Sequence, residues 1–244
     1  MTSDTPEARE PDPRATAGTH GAASSADRIA EELRGFGPLG ILAMIVILFV
    51  GNYPFAPAAA LLVLAWVRWS RTPWRDIGYV RPTSWAHTAA SGIVFGIAFK
   101  LLMKSIVMPL LGADPVNHAY HYLAGNRAAL PGAVYTMIVG AGFGEETVFR
   151  GYLFERFGRL FGSSVFARTG IVLITAAGFG AAHYPAQGLA GAEQATIVGL
   201  VFGSIMAITG RIGVLMFAHA AFDLTALAMI YRGLETRVAH LIFR

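Results

Sequence analysis

An all-α, polytopic membrane bundle of about seven transmembrane helices, with a polar site between helices, is the fold class this sequence predicts. Three observations predict it. Of the 244 residues, 55% are apolar and only 14% charged, and the mean hydropathy is +0.52, far from the balance of a water-soluble domain. Apolar stretches approaching the length of a bilayer core recur from residue 36 to residue 231. Inside the later stretches stand Glu145, Glu146, Arg150, His183, His219 and Asp223, although an unpaired charge there costs about 2.5 to 3.5 kcal/mol and is retained mainly for function.

Residues 1–34 hold Pro, Ala, Ser, Thr and charge with few large apolar side chains, a composition that predicts a disordered cytoplasmic tail. No basic stub with a short apolar run and a small-residue cleavage site opens it, so no cleaved signal peptide is expected. The transmembrane helical domain then covers 35–231, with spans expected at 36–51, 55–69, 88–111, 131–154, 168–184, 194–209 and 212–231. The second is short and the third carries Lys100 and Lys104, which points to a tilted, interfacial or broken helix. Between them, WVRWSRTPWRDIGYVRPTSW holds every tryptophan (Trp66, Trp69, Trp74, Trp85) with Arg68, Arg71, Arg75 and Arg81. Tryptophan prefers the headgroup level and arginine the inner face, which puts this loop and the N-terminus on the cytoplasmic side of a multi-pass protein of the cell membrane. Small residues four apart (Gly140 and Gly144, Gly158 and Gly162, Gly199 and Gly203) suit close helix packing. Residues 232–244 are too short for a further span and are expected to form a short interfacial tail.

Residues 1–34 hold seven acidic and four basic side chains, so the rest holds eight acidic and fifteen basic. This excess is a topology signal rather than nucleic-acid affinity. The chain has no cysteine, which excludes disulfide frameworks, thiolate nucleophiles and Cys-ligated zinc.

Three segments carry the intramembrane charges, GFGEETVFRG, FGAAHYP and MFAHAAFD, each with an i,i+4 pair on one helical face: Glu146 with Arg150, Phe179 with His183, His219 with Asp223. Adjacent glutamates on a helix point about 100° apart, so they take different roles. Glu146 is the one set to pair with Arg150, while Glu145 is left free to face a substrate or a water as a general base. His219 and Asp223 share a face, where the carboxylate either fixes the imidazole tautomer or joins it as a ligand. By donor type Glu145, His183, His219 and Asp223 suit a divalent metal such as zinc, and equally a metal-free site that activates water, the version favoured here. His118 and His121, flanked by Tyr120 and Tyr122, are expected to anchor at the interface.

In this order and spacing, EExxxR (Glu145, Glu146, Arg150), FxxxH (Phe179, His183) and HxxxD/N (His219, Asp223) resemble the family of type II CAAX prenyl proteases and bacteriocin-processing enzymes, the CPBP or Abi family. WRDIGYVRP resembles the segment that precedes its core, and the likeness covers 72–231. The resemblance implies an intramembrane endopeptidase in which Glu145 activates a water with His183 while His219 and Asp223 stabilise the oxyanion. Its partner would be a peptide or protein substrate in or near the bilayer, with no nucleic acid. The prenyl proteases of the family carry an eighth span, for which residues 232–244 are too short, and nothing marks a prenyl groove. The alternative is a non-catalytic scaffold, immunity protein or small transporter that keeps the same cluster structurally.

Overall fold

A computed structural model of the protein describes residues 24–51 and 56–243, and every described segment with regular structure is helical. The first helix, α1 (Ser25–Arg34), corrects the expectation of disorder as far as residue 34. Ser24 and Asp27 close a reciprocal capping box, with Asp27 N–H on the serine hydroxyl at 3.2 Å and Ser24 N–H on the carboxylate at 3.1 Å. Arg71 donates to the same carboxylate. The rest of the expected tail, residues 1–23, lies outside the described residues.

Helix α2 (Pro38–Gly51) leaves α1 at a bend of 58°. Arg156, fully buried, fills that bend by donating to the carbonyls of Arg34 at 2.7 Å and Gly35 at 2.5 Å. A cation thereby meets the orphan carbonyls at the end of α1. Its guanidinium lies over Phe36 and Trp66. Trp66 belongs to α3 (Ala56–Trp69) and donates to the Leu33 carbonyl at 3.0 Å. It is a core residue, unlike exposed Trp69, Trp74 and Trp85, so one of the four tryptophans expected at headgroup level packs inside instead.

Helix α4 (Trp85–Leu110) is wound as π-helix over Met103–Val107. Its two lysines are buried, and the helix continues through them without a break. Helix α5, residues 130–161, carries longer π-wound stretches, Thr136–Glu145 and Thr147–Tyr152, on either side of Glu146. Such winding is uncommon outside functional regions.

Helix α6 (Val165–Thr209) has 45 residues and is broken at Gly188, whose φ of 66° and ψ of −164° only glycine adopts freely. As one rod it would be about 67 Å long, more than twice a bilayer core. It folds back on itself: Gly180 packs against Ala192 and Thr196, Gly199 against Ala176, and Gly203 against Val172. Those pairs define an antiparallel hairpin about Gly188, in keeping with the two separate spans expected there. Of the spaced glycine pairs, Gly199 and Gly203 serve close packing, while Gly158 and Gly162 meet nothing among the described residues. Helix α7 (Gly213–Tyr231) and the short α8 (Glu235–Ala239) complete the chain.

The protein is a helical membrane bundle. Among the described residues, Trp85–Leu110, Val165–Thr209 and Gly213–Tyr231 are long and apolar enough to cross a membrane, with a fourth span if the bent α1 and α2 pair counts as one. One end gathers the Trp74–Ile77 turn and the α6–α7 link, joined by Ile212 N–H to the Gly78 carbonyl at 3.0 Å. At the other end Gly125 N–H donates to the Tyr231 carbonyl at 3.1 Å, and Gln187 to the Tyr120 hydroxyl at 3.0 Å.

A close approach of two backbones joins α4 to α7, where a Cβ on Gly96 would stand 2.1 Å from the Ala218 carbonyl oxygen. Gly96→Ala must therefore push the helices apart and shift His219, the next residue. The expected cost is about 1 to 3 kcal/mol, read as a lower melting temperature in detergent with reduced turnover. A variant matching wild type in both would show that the two helices do not meet at this point.

Candidate active site

Glu146 is the centre of the polar cluster. Its side chain has 0% exposure, and Oε1 accepts from Arg150 Nη1 at 2.9 Å and from His219 Nδ1 at 2.7 Å. The pair with Arg150 is the one that i,i+4 spacing predicts. The bond to His219 is a finding of the fold, because the two residues are 73 positions apart. The carboxylate on Nδ1 of the His219 ring is Glu146, while Asp223, one turn along α7, stands 3.9 Å away on the Nε2 side.

Two carboxylates face that other nitrogen. Glu145 Oε2 lies 3.8 Å from His219 Nε2 and Asp223 Oδ2 lies 3.9 Å from it. Both are too long for direct hydrogen bonds yet short enough for one water to touch donor and acceptor together. Glu145 and Asp223 retain 25% and 30% side-chain exposure, whereas Glu146 and Arg150 are sealed. Adjacent glutamates have thus been sorted by the helix into a sealed strut and a partly exposed group.

Phe179, fully buried, holds the cluster together sterically. Its ring carries the Arg150 guanidinium at 4.5 Å and meets His183 at 4.5 Å, His219 at 5.9 Å and Phe149 at 4.9 Å. Phe202, from the returning half of α6, closes the other side of His219 at 5.7 Å and of Arg150 at 5.6 Å. The buried guanidinium is therefore held between aromatic faces as well as by its carboxylate. His183 donates Nδ1–H to the Phe179 carbonyl at 2.8 Å, which leaves Nε2 with its lone pair, and the ring is within electrostatic reach of Glu145. All six sequence-derived residues accordingly belong to one constellation on α5, α6 and α7.

The chain adds residues that sequence reasoning did not assign. Tyr79 and Thr147 share a hydrogen bond of 2.8 Å, tying the loop after α3 to the residue that follows Glu146. Lys100 donates to Gln194 Oε1 at 2.9 Å and sits 4.6 Å from the Phe222 ring centre. The lysine was visible in sequence as a charge in an apolar stretch; nothing there tied it to Gln194. His118 pairs with Asp114 at 3.1 Å on an exposed surface. Among the described residues no three His, Asp or Glu side chains meet at metal-ligand spacing. Glu145, His183, His219 and Asp223 do not fit a zinc site in this arrangement, and no step below passes through a metal.

Residues 127–225, from the turn before α5 to just beyond Asp223, match the family model described as type II CAAX prenyl endopeptidase Rce1-like. No curated protein and no solved structure matches the chain.

Proposed function

We propose, from the match of residues 127–225 to the family model described as type II CAAX prenyl endopeptidase Rce1-like, that the protein is an intramembrane protease that hydrolyses a peptide bond of a membrane-associated peptide or protein by glutamate-activated water. The observation that carries this reading is the placing of His219 Nε2 between Glu145 Oε2 and Asp223 Oδ2, 3.8 and 3.9 Å away. A water in that gap loses its proton to Glu145 as its oxygen attacks the scissile carbonyl, with His183 Nε2 accepting from the same water. His219 in this reaction carries both ring protons: Nδ1–H stays on Glu146, and Nε2–H donates to the carbonyl oxygen as it becomes an oxyanion. Asp223 orients that nitrogen. Collapse breaks the C–N bond, and Glu145 returns the proton to the leaving amine.

Cleavage of a fluorogenic apolar peptide in labelled water tests the reading: one solvent oxygen must enter the new carboxyl group. Chelator is expected to leave turnover unchanged. Asp223→Asn is expected to keep substantial activity, since a side chain 3.9 Å from Nε2 acts there through a bridging water, which an amide can hold as well. Loss of turnover in both experiments would favour a metal mechanism, and no cleavage under any condition would return the scaffold reading.

We also propose a cytoplasmic N-terminus. The end bearing exposed Trp69, Trp74 and Trp85 also exposes Arg68, Arg71, Arg75 and Arg81, the inside signature. The chain has no cysteine, so Thr83→Cys should react with an impermeant thiol reagent only from the cytoplasmic side and Arg127→Cys only from the other. The reverse pattern would invert the protein.

A further inference from the structure

Lys100 is an intramembrane charge that this reaction leaves unused. It is 5% exposed, with Gln194 Oε1 at 2.9 Å. Among the described residues its neighbour Lys104 has a carboxylate, Glu235 at 3.6 Å, whereas the closest polar partner of Lys100 is an amide. Asp223 and Glu235 act on it from further away. An ammonium buried against a neutral group is costly unless something completes its surroundings.

The space beside it is a cavity of about 160 Å³, lined by Lys100, Gln187, Gln194, Ala226 and Ile230. Ala226 and Ile230 follow His219 and Asp223 at steps of three and four residues, so the cavity continues the same face of α7 beyond the catalytic cluster. Asn117 and the exposed His118, on the loop after α4, line it as well. The other charges there are paired. Lys104 meets Glu235, and Asp114 meets His118 at 3.1 Å, its carboxyl held below the usual range by the Val116 N–H and by His118.

We propose that Lys100 and Gln194 form a subsite for a carboxylate of the peptide substrate, placed along α7 beyond Asp223. The inference rests on the peptidase reading and adds to it a substrate class and a direction. The peptide lies along α7 with its scissile bond at His219 and its anionic group toward the His118 end. Lys100 supplies two N–H donors not used by Gln194, and the Gln194 amide supplies more, enough for both oxygens of a carboxylate. That carboxylate is either the free C-terminus of the peptide or an acidic side chain.

Three fluorogenic leucine-alanine peptides separate the sources: one with a free C-terminal acid, one amidated, and one amidated with a single internal glutamate. Wild type is expected to prefer a carboxylate-bearing form over the neutral one by about 10- to 100-fold in kcat/KM. Preference for the acid identifies the chain terminus, and preference for the glutamate peptide identifies a side chain. Lys100→Met, which keeps volume and replaces a buried charge with an apolar group, is expected to abolish the preference while leaving the neutral peptide within about two-fold. Gln194→Leu should weaken it. Equal rates on all three peptides in wild type overturn the subsite, as does a uniform loss in Lys100→Met, which would make the lysine a counter-charge for Asp223. Affinities of the same peptides for Glu145→Gln, read by fluorescence anisotropy, separate the two claims. Carboxylate preference in binding, lost in Glu145→Gln/Lys100→Met, upholds the subsite even where wild type cleaves nothing. Cleavage without preference removes the subsite and spares the peptidase.

Discussion

Glu145→Gln is expected to reduce turnover by about 10²- to 10⁴-fold, the usual contribution of a positioned general base, with no loss of folded protein. The exchange keeps shape and removes only the ability to hold a proton from water. Stability should survive because Oε2 of Glu145 has no hydrogen-bond partner among the described residues and the side chain is 25% exposed, so no buried pair is broken. Turnover of the fluorogenic peptide and the thermal melt of the same preparation decide it. Wild-type rates would remove Glu145 from the chemistry, and a large drop in melting temperature would make it a structural residue.

Arg150→Ala should act in the opposite way, chiefly on stability. It leaves Glu146, at 0% exposure, without its guanidinium, and it empties the space between Phe179 and Phe202. Breaking a buried pair from one side costs about 3 to 5 kcal/mol, which for a chain of this size is a fall of roughly 6 to 20 °C in melting temperature. The double variant Glu146→Gln/Arg150→Met is expected to regain stability, because no buried charge is left alone. Activity should stay lost, since a glutamine no longer offers His219 a carboxylate for Nδ1. An unchanged melt in Arg150→Ala would mean that the ion pair contributes nothing, and recovered activity in the double variant would free His219 from Glu146.

What the sequence made legible follows from range. The pair Glu146 and Arg150 is local, so helical spacing alone places it. The bond from Glu146 to His219 joins α5 to α7, and no pattern within either segment points to the other. His219 and Asp223 share a face as spacing requires, but spacing could not show that a nearer carboxylate from another helix takes Nδ1. The two stretches on either side of Gly188, expected as separate spans, are the two arms of one hairpin, and the positive φ of that glycine allows the reversal. Helix α1 was hidden by the composition of the residues before it, although Ser24 and Asp27 already had the spacing of a capping box. Trp66 was assigned to the headgroup level by residue type, whereas Tyr152, packed edge-on at 4.9 Å, and the Leu33 carbonyl give its ring and its N–H an interior place.

Arg156 gives the chain an order of assembly. Its bonds to the carbonyls of Arg34 and Gly35 join residues 122 and 121 positions apart, so that part of the seat for the end of α1 is absent until α5 has been made. Groups nearer in sequence hold α1 first, with Trp66 on the Leu33 carbonyl and Arg34 on the Ser70 carbonyl. At about 5 to 20 residues per second, the carbonyls of Arg34 and Gly35 wait roughly 6 to 24 s for their guanidinium. A product stopped before residue 156 lacks it altogether.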